Sequence, residues 1–393
     1  MKRKIAVITS SRADYSHLYW VLVELSRHPD VELTIVSIGA HLSAEFGNTW
    51  KDIARDGFAA ENVECLLSSD TDVGMAKTIG IATLGLADCL GKMRPDLLLL
   101  IADRYEMLAP ASVGLALRIP VAHIEGGDVS LGAIDDAVRN ALTKLSHIHL
   151  TATHSSKQRV MGMGEEAWRV HVVGSPSLDH ITKQALFTRE EVQQRLRIPL
   201  DQKTIAVIYH PVTIARDTLL EVEELLAALE PIQQRLLFIS PNSDAGSREL
   251  AERFRTCAAA RKNASFITNI DHRTYLSLLQ YLGLMVGNSS SGIMEAASFK
   301  LPVVNVGLRQ KGRERARNVL DCRPERREIA NAIVTAMSDD FRASLANLLN
   351  PYGDGHSAEK IVRVLTEVSL TDSLRIKQPV PIHLIEEYEY SSR

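Results

Sequence analysis

The residues able to do chemistry lie in two acidic loops and several small polar ones. Asp103-Arg104-Tyr105-Glu106 follows the apolar run Leu97–Ile101, and Glu125-Gly126-Gly127-Asp128 follows Val121-Ala122-His123-Ile124. Carboxylates at the ends of two strands, with glycines that let backbone or ligand come close, form an acid–base constellation. Asp135-Asp136 open a helix. Consecutive helical residues diverge by about 100°, so at most one of the pair faces a shared site. The other caps the helix or sits favourably at the positive end of its dipole.

Other loops suit an anion. Thr9-Ser10-Ser11-Arg12-Ala13-Asp14-Tyr15-Ser16 joins a strand to a helix, where free N–H groups, the helix dipole and the Arg12 guanidinium favour a phosphate. The plainer alternative is that Ser11 or Asp14 caps the helix and Arg12 is solvated. No glycine occurs there, so the Gly-x-Gly-x-x-Gly fingerprint is absent and NAD is not indicated. Further along, His210-Pro211-Val212-Thr213, Asn242-Ser243-Asp244-Ala245-Gly246 and Gly287-Asn288-Ser289-Ser290 each follow a strand. The last opens a helix on which Glu295 is placed to accept hydrogen bonds from a ribose diol, while Ser289 and Ser290 suit phosphate. No serine has the Gly-x-Ser-x-Gly spacing of an esterase elbow. Arg309 to Arg317 is strongly basic, able to offer one or two arginines to a diphosphate and too isolated to imply nucleic acid. His147 and His149 share one face of a strand, but nearby carboxylates lack ligand spacing, so no metal is expected.

Short β-branched runs alternating with longer amphipathic stretches must position these loops, which is the α/β pattern. Strands are expected at 4–9, 31–38, 96–101, 120–124, 147–152 and 170–173, with helices at 15–27, 74–92, 105–118 and 135–145. A second series comes at 205–209, 236–239, 265–267, 284–286 and 302–306. The strandless, Arg/Glu/Gln-rich stretch 184–203 marks the boundary. The expected division is an N-terminal Rossmann-like domain over 1–190, a C-terminal one over 191–370 and a loose tail over 371–393. Two such sheets facing each other form a cleft lined by strand C-termini, the usual ligand position.

The chain has 393 residues, a net charge of −3, 45% hydrophobic and 24% charged residues, ordinary for a globular protein of two or three domains. This balance gives no reason to expect nucleic acid or an anionic membrane as partner. The longest purely apolar stretch, Leu97 to Ala102, is far short of the ~18 residues of a membrane span. Met1-Lys2-Arg3-Lys4 runs into an apolar stretch too short for a signal sequence, so a cytoplasmic location is expected. Four scattered cysteines show no Cys-x-x-Cys spacing, which indicates neither a disulfide scaffold nor a zinc ribbon.

Taken in order, Arg12-Ala13-Asp14-Tyr15-Ser16, Asp103-Arg104, His123-Ile124-Glu125-Gly126-Gly127, Ile134-Asp135-Asp136, His210-Pro211-Val212-Thr213, Asn242-Ser243-Asp244-Ala245-Gly246, Gly287-Asn288-Ser289-Ser290 and Gly307-Leu308-Arg309-Gln310 resemble the hydrolysing UDP-N-acetylglucosamine 2-epimerases. These comprise the bacterial NeuC type and the epimerase half of the vertebrate sialic-acid enzyme, and the match spans roughly residues 4–365. The resemblance implies two Rossmann-like domains in the GT-B arrangement, dimers or tetramers, and no metal or redox cofactor. It implies conversion of UDP-GlcNAc to UDP and ManNAc, by elimination of UDP to a 2-acetamidoglucal and then addition of water, on the route to sialic acid. By the same carry-over Asp103, Glu125 and Asp135 are the catalytic carboxylates. Arg12, Ser16, Arg104, His210, Asn242, Ser289, Ser290, Glu295 and Arg309 bind the UDP-sugar. The non-hydrolysing relatives carry His-Arg-Arg-Glu where this chain has His210-Pro211-Val212-Thr213, which favours the hydrolysing branch. The chain departs from the family at Ala102, where Gly is usual, at Asp128, where Glu is usual, and at Asn140, where His is usual. Three alternatives stand beside this reading: the same reaction on UDP-N,N′-diacetylbacillosamine, a GT-B glycosyltransferase, and a nucleotide-sugar sensor without turnover.

Overall fold

A computed structural model describes residues 2–67, 71–130, 134–211, 218–241 and 247–380. The first sheet has seven strands in the order β3-β2-β1-β4-β5-β6-β7. These are β1 (Arg3–Thr9), β2 (Val31–Ile38), β3 (Ala60–Val63), β4 (Leu97–Ile101), β5 (Val121–Ile124), β6 (Ile148–Thr151) and β7 (Val170–Val172). The second has six, in the order β10-β9-β8-β11-β12-β13. These are β8 (Ile205–Ile208), β9 (Leu236–Ile239), β10 (Ala264–Ile267), β11 (Leu284–Gly287), β12 (Val303–Val306) and β13 (Val319–Cys322). Every strand pairing described is parallel. The architecture is thus two α/β units in the GT-B arrangement.

Near-continuous apolar runs form these strands because both sheet faces are covered. Leu97, Leu99 and Ile101 point into one core with Leu18 and Leu22 of α1 (Arg12–Arg27), while Leu98 and Leu100 point into the opposite one. Ile205, Val207 and Tyr209 alternate with Ala206 and Ile208 across the second sheet in the same way. Strand order reverses between β1 and β4 and between β8 and β11, so each sheet opens a crevice at its strand ends there.

Edge strands β3 and β13 lie outside the strands expected from sequence. Both are partly exposed, and neither Ala-Glu-Asn-Val nor Val-Leu-Asp-Cys carries the apolar run of a strand buried on both faces. The helix Asp72–Met93 is long and apolar enough by composition to cross a membrane, although Lys77, Asp88 and Lys92 leave it without a long uninterrupted apolar run. Here it bridges β3 and β4 and packs through Ala82, Leu86 and Leu90 on the first sheet.

After the second sheet the chain returns to the first. The helix Ser357–Glu367, expected from sequence to belong with 191–370, buries Ala358, Ile361 and Leu365 in the core shared with α1. The Asp179 carboxylate caps it, accepting from the Ser357 and Ala358 N–H groups at 2.8 and 2.7 Å. Residues 371–380, expected to be loose, are also held. Fully buried Arg169 donates to the carbonyls of Leu374 and Ser373, both at 2.7 Å. Residues 381–393 lie outside the described residues.

The turn leaving β4 explains the family's usual glycine. Ala102 sits at φ +59°, in the left-handed region that costs a residue with a Cβ about 1–2 kcal/mol. Ala102→Gly is therefore expected to stabilise the fold by about 0.5–1 kcal/mol, the relief being partly offset by the looser unfolded chain. Urea unfolding of both proteins measures it.

Candidate active site

Parallel pairing sets the acidic loops side by side. Ile101 of β4 is in register with Ile124 of β5. The Ala102 N–H extends that ladder to Ile124 O at 3.1 Å, and the Glu125 N–H continues to Leu150 O at 2.9 Å. Glu125, like Ala102, adopts a left-handed backbone, at φ +65°. Beneath them buried His123 donates from Nε2 to the Ala102 carbonyl at 2.7 Å, and burial holds this imidazole neutral, down at about 4.

The two carboxylates are driven in opposite directions. Asp103 pairs with Arg139, and Arg139 also donates to Ser130 Oγ at 3.0 Å. Burial nevertheless pushes Asp103 up to about 6. The negative charges of Asp135 and Glu125 reinforce it, against the pull of Arg139 and Arg313. Burial would raise Glu125 too, but His17 and Ser175 overcome it and hold this carboxyl at about 2. His17 Nδ1 lies 3.8 Å from Glu125 Oε1, and Ser175 Oγ donates to that oxygen at 2.9 Å. His17 responds reciprocally: burial favours its neutral form, but Glu125, Glu295 and Asp14 lift it to about 9. Asp135 stands near enough to Asp103 to raise it, whereas Asp136 accepts from the Ser130 N–H at 3.0 Å and lies 3.8 Å from Arg139.

The N-terminal loop follows the capping alternative as well. Ser11 Oγ accepts from the Asp14 N–H at 3.3 Å, and buried Asp14 in turn accepts from Ser10 N–H and Oγ at 3.1 and 2.7 Å. Arg12 is exposed on the first helical turn and Ser16 is half-buried one turn on. Arg104 is bound to fully buried Glu106 at 3.0 Å, which keeps its guanidinium charged despite burial.

In the second unit one residue, through its side chain and its backbone carbonyl, ties three loops together. Buried Asn288 accepts from the His210 N–H through Oδ1 at 2.7 Å and donates from Nδ2 to His210 O at 2.9 Å. Its own carbonyl accepts from Arg309 at 3.2 Å and Gln310 at 2.9 Å. Gly287 before it has φ +139°, and a Cβ there would stand 1.9 Å from Ile208 O, so no other residue permits this close approach of β11 to β8. Ser289 caps the short helix Ser290–Met294, and Glu295 ends it, accepting from Ser177 Oγ of the first unit at 3.2 Å. Asn242, Val212 and Thr213 lie outside the described residues.

The basic run divides its labour. Arg309 stays beside Asn288, but Arg313 crosses the cleft to Asp128 Oδ2 at 3.4 Å and Val129 O at 3.2 Å. Arg159 completes the clasp, donating to Gly127 O and Gly312 O, both at 3.1 Å. The shorter Asp128, in place of the family's Glu, is thus an interdomain anchor. His147 and His149 are both engaged: His147 Nδ1 accepts from the Val121 N–H at 3.1 Å, and His149 Nε2 lies 3.0 Å from Glu165. The fold adds His17, Arg139, Ser175, Ser177, Asn288 and Arg313 to the residues expected from sequence. Asn288 and Arg313 stand inside recognisable motifs, whereas nothing in Ser175-Pro176-Ser177 points to the cleft.

A family model described as UDP-N-acetylglucosamine 2-epimerase matches residues 23–366. The chain is 37% identical to a hydrolysing UDP-N,N′-diacetylbacillosamine 2-epimerase of Legionella pneumophila, over 94% of this chain and 97% of that protein. It is 32% identical to a UDP-N-acetylglucosamine 2-epimerase of Neisseria meningitidis, over 86% and 88% respectively. In fold it is similar to the crystal structure of a Neisseria meningitidis UDP-GlcNAc 2-epimerase bound to UDP-GlcNAc, with a TM-score of 0.79 at 18% identity, covering 93% of this chain and 100% of that one.

The His17–Glu125 pair makes stability depend on pH. His17 rises from 6.5 to about 9 on folding, so its contribution is complete below 6.5 and disappears as pH rises through 9. Glu125 falls from 4.5 to about 2, so its contribution is complete above 4.5 and disappears as pH falls through 2. The Tm difference between wild type and His17→Gln should therefore be largest between pH 4.5 and 6.5 and shrink towards pH 9, as thermal melts across that range will show.

Proposed function

Because this chain belongs to the UDP-N-acetylglucosamine 2-epimerase family, we propose that it acts as a hydrolysing 2-epimerase that converts UDP-GlcNAc to UDP and ManNAc, feeding sialic-acid biosynthesis in the cytoplasm. The observation that carries this reading is the pair Asp103 and Glu125, driven apart in proton affinity at adjoining strand ends. Titratable pairs separated by their surroundings identify the acid and the base.

The proton on C2 of the sugar is barely acidic, since no carbonyl adjoins that carbon in the ring. Departure of UDP changes this, because positive charge building on C1 acidifies the neighbouring C–H. Glu125, ionised beside His17, removes that proton and a 2-acetamidoglucal forms. Asp103, raised towards protonation by its burial and by Asp135, returns a proton to C2 from the opposite face as water adds at C1, and the proton that the water gives up restores Asp103. Arg12, Arg104, Arg309, His210 and the Ser289-Ser290 helix end stabilise the leaving diphosphate, the largest electrostatic demand of the reaction. Ser16, Asn242 and Glu295 complete the nucleotide site. Ile81 and Leu84, exposed on one face of the helix Asp72–Met93, support self-association as a homodimer or homotetramer.

A second substrate, UDP-N,N′-diacetylbacillosamine, is favoured by the higher identity to the Legionella relative, 37% against 32%. Each sugar nucleotide is to be incubated separately in D2O and followed by NMR. UDP release with one deuterium at C2 of the freed sugar is expected, and the faster turnover identifies the substrate. Release of UDP with C2–H retained would reject the elimination route and leave a glycosyl transfer or plain hydrolysis.

The acid role sets the pH profile. Asp103 must be protonated, so kcat/KM is expected to fall as pH rises through about 6, the region to which burial, Asp135 and Glu125 move it. The negative diphosphate of bound substrate raises Asp103 further, placing the limb higher in kcat. Asp103→Asn should remove this limb together with at least about 100-fold of kcat. A profile rising through pH 6 assigns the acid elsewhere.

A further inference from the structure

Ser175 and Ser177 connect two carboxylates that belong to different domains. Ser175 Oγ lies 2.9 Å from Glu125 Oε1 and 3.2 Å from Ser177 Oγ, and Ser177 Oγ lies 3.2 Å from Glu295 Oε1. Both serines are buried, at 0% and 1% exposure, and Glu295 is 9% exposed, so bulk water does not compete along the chain. The three contacts are served by only two hydroxyl protons. With both carboxylates ionised, one contact lacks a hydrogen, and two of them, at 3.2 Å, lie just beyond the usual O–H···O range. One added proton completes the chain, and it can reside at either end.

We propose that Glu125, Ser175, Ser177 and Glu295 form a proton wire that clears the catalytic base after each turnover. The inference rests on the reading of Glu125 as the base. The transfer balances as three concerted hops. The proton taken from C2 passes from the Glu125 carboxyl to Ser175 Oγ, the Ser175 proton passes to Ser177 Oγ, and the Ser177 proton passes to the Glu295 carboxylate. One proton has crossed the cleft, both hydroxyls are restored and Glu125 is again an anion; Glu295 gives the proton up to the departing UDP or to water as the products leave, which resets the wire. Its surroundings drive the hop outward: the His17 imidazolium at 3.8 Å and the positive charge of Arg139 favour the ionised form, so a proton there is poorly held. Glu295 lies at the end of the short helix that Ser289 opens, so the second domain, which holds the nucleotide, also takes the proton. Ser175 and Ser177 are positioning residues in this scheme, acting through the two carboxylates.

A burst experiment tests the wire. Enzyme is mixed rapidly with excess UDP-sugar, and UDP is followed through the first and later turnovers for wild type, Glu125→Gln, Ser177→Ala, Ser177→Thr and Glu295→Gln, with Tm measured for each. Ser177→Ala should release one UDP per site at a rate within about twofold of wild type and then slow at least about tenfold, a loss within the range of a proton-transfer step. Ser177→Thr keeps the hydroxyl and should restore the steady rate. Glu295→Gln cannot take up the proton, so beyond any rise in KM from its place in the nucleotide site it should slow later turnovers at saturating substrate more than the first, with Ser177→Ala/Glu295→Gln no slower than the slower single variant. Three results would overturn the wire while leaving Glu125 as the base: steady turnover unchanged in Ser177→Ala, a first turnover slowed as much as later ones, or Glu295→Gln raising KM alone. Full activity in Glu125→Gln would overturn the base assignment and the wire together.

Discussion

Crowding of negative charge is the constraint on which this cleft depends. Asp14, Glu106, Asp103, Glu125 and Glu295 are buried or nearly so around a site read as binding a diphosphate. A buried carboxylate persists only with a partner or a proton. Each solution appears once: Asp14 takes hydrogen bonds from Ser10, Glu106 takes Arg104, Glu125 takes His17 and Ser175, and Asp103 moves towards protonation. The opposite proton affinities of Asp103 and Glu125 are thus consequences of how far neighbours offset burial at each. Arg139 lies against Asp103 without overcoming its burial, whereas His17 and Ser175 together keep Glu125 charged.

The sequence made the frame legible because buried parallel strands leave little freedom in composition. Leu97–Ile101 and Val121–Ile124 need apolar residues on both faces, and the loops after them emerge as the place for chemistry. Asp135 and Glu125 both stand near enough to Asp103 to raise it. Strands β3 and β13 escaped because an edge strand half in solvent need not be apolar. His17 does not stand out beside Ser16, since its importance arises only when α1 meets the end of β5. Ser175 and Ser177 were illegible for a stronger reason. They carry no charge, belong to no periodic pattern and gain meaning only from Glu295, 118 positions from Ser177. The basic run was visible as charge, but only the fold separates Arg309, which stays with its own domain, from Arg313, which crosses.

The same dependence on distant contacts governs the chain's return to the first domain. A helix of ordinary amphipathic pattern at 357–367 says nothing about which sheet it will cover. Asp179 settles the matter by capping its first two N–H groups, and Arg169 secures the C-terminal segment through the carbonyls of Ser373 and Leu374. Deprived of that donor, the buried Leu374 carbonyl would lose a hydrogen bond with no water to replace it. The C-terminal segment is therefore part of the first domain's structure, and the two domains are joined by two crossings.

This double connection bears on how catalysis is organised. The loops around Asn288 belong to the second domain and Asp103 and Glu125 to the first, so under the proposed reaction neither domain is competent alone. Arg313 with Asp128, Arg159 with Gly312, and Ser177 with Glu295 are made only where the two meet. Binding energy from the nucleotide, which does not itself react, can thus be applied to bringing the carboxylates against the sugar. That arrangement also protects the intermediate. An oxocarbenium-like centre exposed to water before C2 loses its proton would simply hydrolyse with its configuration at C2 intact. The proposed epimerisation therefore requires that departure of UDP, proton loss and admission of water occur in that order, and a site assembled from both domains is suited to impose it.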